Sequence, residues 1–153
     1  MLTHCDFVYA GESARFQMPF VNLALVPEFG SSCTVPARIG YLRAAELILM
    51  GLSFDAKRAA ELGLVTQVVP NEKLLAIATE TAEKLAAKPP RALQACKRLM
   101  RRSTREELER AIKLENEEFS TRVRSAEAKE AFTAFLEKRA PDFTKVSESA
   151  TNN

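Results

Sequence analysis

The chain has 153 residues, 46% hydrophobic and 27% charged, which is the size and balance of one globular domain able to bury a core. Twenty-two Lys and Arg oppose 20 Asp and Glu, and a net charge of +2 is too small to imply a nucleic-acid or membrane partner. The single histidine, His4, and three dispersed cysteines, Cys5, Cys33 and Cys96, lack the clustering of a zinc site, and no run approaches the ~20 apolar residues of a membrane span. The cysteines read as buried free thiols of a reducing compartment, and no metal is expected. The N-terminal residues lack the basic and apolar regions of a secretory signal.

Residues 5–10 are rich in β-formers and precede Gly11; residues 14–18 read as a second short strand ending at Pro19. Val21 to Val26 is apolar and fits either a buried strand or a loop. Gly30-Ser31-Ser32 reads as a helix start with serine capping, and Pro36 sits early in the helix that Gly40 closes. A second helix spans 41–50 before Gly51, and Asp55 caps a third that stops at Gly63. Residues 65–69 form a strand before Pro70.

The remainder is helical. Leu74, Ala78, Ala82 and Leu85 share one helix face, and a helix over 92–102 follows Pro89-Pro90. Thr104 with Glu107 fits a capping box for a long helix bearing Leu108, Ala111, Ile112 and Phe119 on one side. A last helix over 125–139 aligns Ala128, Ala131, Phe132, Phe135 and Leu136. Residues 144–153 are polar and predict a disordered tail. Two or three short strands cannot form a stable sheet by themselves, so their apolar faces call for further partners.

Cys5-Asp-Phe-Val-Tyr-Ala-Gly11, Ala14-Arg-Phe-Gln-Met-Pro-Phe20 and Leu25-Val-Pro-Glu-Phe-Gly-Ser-Ser32 resemble the middle of the crotonase (enoyl-CoA hydratase/isomerase) superfamily. The series continues through Ala44-Ala-Glu-Leu47, Phe54 to Val65, Val68-Val-Pro70, Lys88-Pro-Pro90, Lys97 and Ala134 to Phe143. The resemblance implies an α/β fold: part of the spiral sheet, then a mostly helical half, with residues 1–103 as core and 104–143 as an oligomerisation and lid region. A typical member is longer by roughly a hundred N-terminal residues, a domain-sized difference. That portion would hold most of the sheet, the adenine-binding region and the glycine-rich oxyanion hole.

The resemblance further implies an acyl-CoA thioester as substrate, no separate cofactor beyond the substrate's coenzyme A, and a homotrimer or dimer of trimers. It places the protein in the cytoplasm, or in an organelle matrix in a eukaryote. A family hydratase uses two glutamates, one of them at the position held here by Phe20. The Δ3,Δ2-enoyl-CoA isomerase branch places one glutamate after a later proline, as in Pro27-Glu28. The expected activity is therefore a double-bond shift in fatty-acid oxidation, with Glu28 carrying a proton from C2 to C4. The alternatives are a hydratase-like enzyme or a catalytically inactive truncated fragment or subunit.

Phe20, Leu23, Leu25, Val26 and Phe29 would wall Glu28 with apolar surface and strengthen it as a base. Phe20, Leu25, Pro27 and Phe29 would line the acyl site; Phe135 and Lys138 would meet the CoA moiety, Lys138 as a point charge for a phosphate. Each has a plainer reading. Glu28 could serve only the helix dipole, Phe135 could be core, and Lys138 could be a solvated charge. Asp6 reads as a turn or salt-bridge residue, His4 as an ordinary histidine, and Ser31 and Ser32 as caps rather than nucleophiles. Lys97, Arg98, Arg101, Arg102 and Arg105 could bind phosphate, but a solvated helix end is the plainer reading.

Overall fold

The computed structural model describes residues 1–144. The tail expected over 144–153 lies outside the described residues apart from Thr144, whose N–H donates to Asp142 Oδ1 at 3.2 Å.

Four strands are present among the described residues: β1 (Tyr9–Gly11), β2 (Arg15–Phe16), β3 (Phe54–Asp55) and β4 (Gln67–Val69). They form two separate pairs. β1 lies parallel to β4 with Tyr9 opposite Gln67, Ala10 opposite Val68 and Gly11 opposite Val69. Parallel pairing requires a long crossover, and the crossover here contains β2, β3 and three helices: α1 (Ser31–Ile39), α2 (Tyr41–Met50) and α3 (Ala56–Glu61). β2 lies antiparallel to β3, where the Phe16 and Phe54 rings stack with centroids 5.7 Å apart. Both strands expected in the first 18 residues exist, but each is shorter than its β-forming stretch, because only the paired residues meet a partner. Val21–Leu23 resolves the ambiguity in the apolar run: it is a 3₁₀ turn.

The glycine and proline signals set most helix ends. Gly40 N–H bonds to Pro36 O at 2.9 Å, and Gly51 N–H to Leu47 O at 3.2 Å. Asp55 caps α3, its Oδ1 accepting from Arg58 N–H at 2.7 Å. Four longer helices follow: α4 (Leu74–Ala86), α5 (Pro90–Arg102), α6 (Arg105–Arg122) and α7 (Ala126–Leu136). The capping box expected at Thr104 does not form. Thr104 is itself helical in backbone and its hydroxyl turns back to Arg101 O, so no side chain of that residue reaches the new helix. Ser125 does cap α7, accepting from Ala128 N–H at 3.1 Å.

The core joins α1, α2, α3 and the strands through Val35, Ile39, Ala44, Leu47, Ala59 and Val65. Val35 is 1% exposed, and burying such a side chain contributes roughly 1.5–3 kcal/mol. A second buried row, Ala128, Ala131 and Ala134, faces the Val21–Leu23 turn. The expected apolar stripe of this helix therefore divides. Its alanines admit close approach to the turn, while Phe135 and Leu136 point outward, 72% and 79% exposed. The cysteines also depart from expectation. All three are free, but Cys5 and Cys96 are exposed and only Cys33 is half-buried.

Candidate active site

Glu28 lies on a tight turn that opens α1. Its carbonyl accepts from Ser31 N–H at 3.1 Å, closing four residues, and both central residues, Phe29 and Gly30, have positive φ (57° and 68°). This is the sign pattern of a type I′ turn. Glycine adopts it freely, but for phenylalanine the left-handed region stores strain of roughly 1–3 kcal/mol, a feature that gathers at functional sites. Several contacts hold the strained turn. Ser31 Oγ donates to Glu28 O at 2.6 Å, and His4 Nε2 lies 2.6 Å from Phe29 O. His4 is thus a tether rather than a base.

The serines were expected to cap α1, and they do not. Ser31 Oγ donates backward to Glu28 O, and the position before the helix is Gly30, which has no side chain. The cap comes instead from α6. Glu115 Oε2 accepts from Gly30 N–H at 2.6 Å and Oε1 from Ser32 N–H at 2.8 Å. Glu115 is 6% exposed and is the one buried charged residue among those described. Reasoning from the sequence missed it. The available signal was its place on the apolar face of α6, three residues after Ile112 and four before Phe119. Beside it, burial first, then the Glu107 and Glu115 carboxylates, push the Cys33 thiol up, away from its reactive thiolate.

Glu28 is half-buried as a residue, and among the described residues no hydrogen bond or ion pair engages its carboxylate. Phe20 O accepts from Leu25 N–H at 2.8 Å and Leu23 N–H at 3.1 Å, folding that loop back on itself. Phe20, Leu23, Leu25, Val26 and Pro27 are half-buried, whereas Phe29 is 55% exposed and does not close over Glu28 as a wall.

Phe135 and Lys138 lie apart from Glu28 in sequence, at the end of α7, the helix that packs on the turn following Phe20. Lys138 has φ 54°, with Arg139 N–H bonding to Ala134 O and Lys138 N–H to Phe135 O. This is a Schellman termination, and it leaves both Phe135 and Lys138 side chains exposed. Asp6 ties the N-terminal segment to α5 through Lys97 and through Arg101 at 3.1 Å. The Lys97 hydrogen bond is the main reason its carboxyl is held below the ordinary range. Two cations of the basic run are thereby occupied. An open apolar groove bordered by Leu2, Phe7, Val8, Leu74 and Leu75 lies elsewhere and does not include Glu28. Among the described residues, no group of three or more His, Cys, Asp or Glu could hold a metal ion, and no helix is long and apolar enough to cross a membrane.

Fold and site together define an α/β protein that presents one unpaired carboxylate on a strained turn at a helix start. The enoyl-CoA hydratase/isomerase family model matches residues 1–146, and the chain belongs to that family. The 2,3-dehydroadipyl-CoA hydratase of Escherichia coli is 36% identical over 139 residues, 91% of this chain and 54% of that protein. The 1,2-epoxyphenylacetyl-CoA isomerase of the same organism is also 36% identical over 139 residues, 91% of this chain and 53% of that protein. A crystal structure of an enoyl-CoA hydratase/isomerase from Pseudoalteromonas atlantica superposes with a TM-score of 0.90 at 43% identity, over 93% of this chain and 57% of that one. The fold is accordingly crotonase-like, short strands followed by a mostly helical portion. The chain spans about half the length of the curated relatives it matches.

Proposed function

We propose that this chain supplies the proton-transfer base of an acyl-CoA isomerase, with Glu28 shifting the double bond of a 3-enoyl-CoA to give the 2-enoyl-CoA. The observation that carries the reading is Glu28 itself, a half-buried residue on a turn held in strain, whose carboxylate is unpaired among the described residues. An unpaired carboxylate can take the C2 proton, leaving a thioester enolate. As a carboxylic acid it then returns that proton to C4, and the electron pair settles between C2 and C3. Phe20, Leu25, Pro27 and Phe29 would receive the acyl chain, and Phe135 and Lys138 the CoA moiety. Residues 104–143 would serve lid and subunit contacts in a trimer or dimer of trimers.

Hydration is the weaker reading because it needs a second group to handle water. Phe20 offers none, and Glu115, the buried carboxylate behind the same turn, has both oxygens committed to N–H donors. The same commitment favours one further reading. Gly30 and Ser32 N–H groups are occupied by Glu115, so this turn does not supply the donors that a thioester enolate requires. The chain would then turn over only with a complementary segment.

The test is turnover of a 3-enoyl-CoA by the chain, alone and with the N-terminal half of a relative added. Glu28→Gln should lower kcat by at least about a hundredfold, the scale of lost general-base catalysis, with an unchanged circular dichroism spectrum. Full activity in that variant would place the base elsewhere. Turnover only with the added half would establish the second reading.

A further inference from the structure

We infer that Glu115 is a positioning residue: from α6 it clamps the strained turn that aims Glu28. The inference rests on the reading of Glu28 as the base.

A buried carboxylate is costly unless it is paired. Among the described residues Glu115 has no Lys or Arg ion pair; its carboxylate accepts from two backbone N–H groups, one on each side of Ser31. Those groups lie 85 and 83 residues away in sequence. An ordinary helix cap is local, and here the local options are withdrawn. Gly30 has no side chain, and Ser31 Oγ is turned to Glu28 O. The remote cap is therefore the feature that fixes Gly30 and Ser32 against α6.

Gly30 makes the approach feasible. A Cβ there would fall 2.2 Å from Leu108 Cδ1 and 3.3 Å from Ile112 Cγ1, on the same side of α6 as Glu115. Between the clamped amides and Glu28 lies Phe29, held at φ 57°. Without the clamp, Phe29 can relax to negative φ. Because Glu28 immediately precedes it, that relaxation re-aims the Glu28 side chain. Glu115 touches no reacting atom in this scheme. It acts only through the turn.

The experiment compares the full-length chain with Glu115→Gln, Phe29→Gly, the double variant and Glu28→Gln, under whichever condition supports turnover. Glu115→Gln should move the Gly30 and Ser32 amide resonances and lower kcat about tenfold or more, with KM changed less than about twofold, as for a misaimed base. With glycine at position 29 the left-handed turn carries no strain, so Glu115→Gln should lower kcat far less in that background. A purely structural role for Glu115 would depress thermal stability equally in both backgrounds and leave kcat of the folded protein unchanged; that result overturns the inference. So do unmoved Gly30 and Ser32 resonances. If Glu28→Gln keeps full activity, or the unmutated chain shows no turnover in any condition, the base reading falls and the inference with it. The amide resonances would still report whether the clamp exists.

Discussion

Replacing Gly30 by alanine tests the junction on which the site depends. Two penalties add. At φ 68° an L-residue pays about 1–2 kcal/mol for the left-handed region. The new Cβ would also sit 2.2 Å from Leu108 Cδ1. That atom is the end of a flexible side chain, so the overlap is relieved by an off-rotamer Leu108 or a small shift of α6, at about 1–2 kcal/mol. The expected destabilisation is about 2–4 kcal/mol, read from urea unfolding with an unchanged m-value. Gly63→Ala provides the reference. Its φ is 77°, but nothing lies within 4 Å of the added Cβ, so only the backbone penalty of about 1–2 kcal/mol applies. If the two substitutions cost the same, α6 does not press on the turn as described, and the clamp by Glu115 loses its structural basis.

Two further outcomes follow from other parts of the fold. Asp55→Ala should cost about 1 kcal/mol in urea unfolding, since it orphans the Arg58 N–H at the start of α3; an unchanged midpoint would show that water replaces the cap without loss. Glu130 is held down to about 2 by its hydrogen bonds from Arg139, reinforced by the Asp142 N–H. A folded-state value below the ordinary 4.5 means that this stabilisation is complete above pH 4.5 and is lost as pH falls toward 2. Carbon-detected titration of the Glu130 carboxyl should show a midpoint near that lower value, and one near 4.5 would dissolve the tie between α7 and the segment after it.

Much of the helical framework could be read directly from residues. Gly40, Gly51 and Gly63 end helices or their following turns and Asp55 caps, because backbone freedom and local hydrogen bonding act over four or five residues. The candidate base was legible too, through Pro27-Glu28 and the resemblance around it. Local chemistry failed at Thr104 and Ser31, where a side chain that suits a cap turned instead to a nearer carbonyl. A hydroxyl can accept from an N–H of the helix it would cap or donate to a neighbouring carbonyl, and tertiary packing selects between the two.

The sequence by itself therefore determined most of the helical order, and marked the helix start that Glu28 precedes. Only the tertiary structure decided what secures that turn. In the sequence, Glu115 is one acidic residue among many on a charged helix, placed on its apolar side. Its meaning appears only when α6 crosses the start of α1, because a buried carboxylate must find donors, and the donors it finds are backbone amides more than eighty residues away. Side-chain periodicity reports which face of a helix is covered; it carries no record of what covers it.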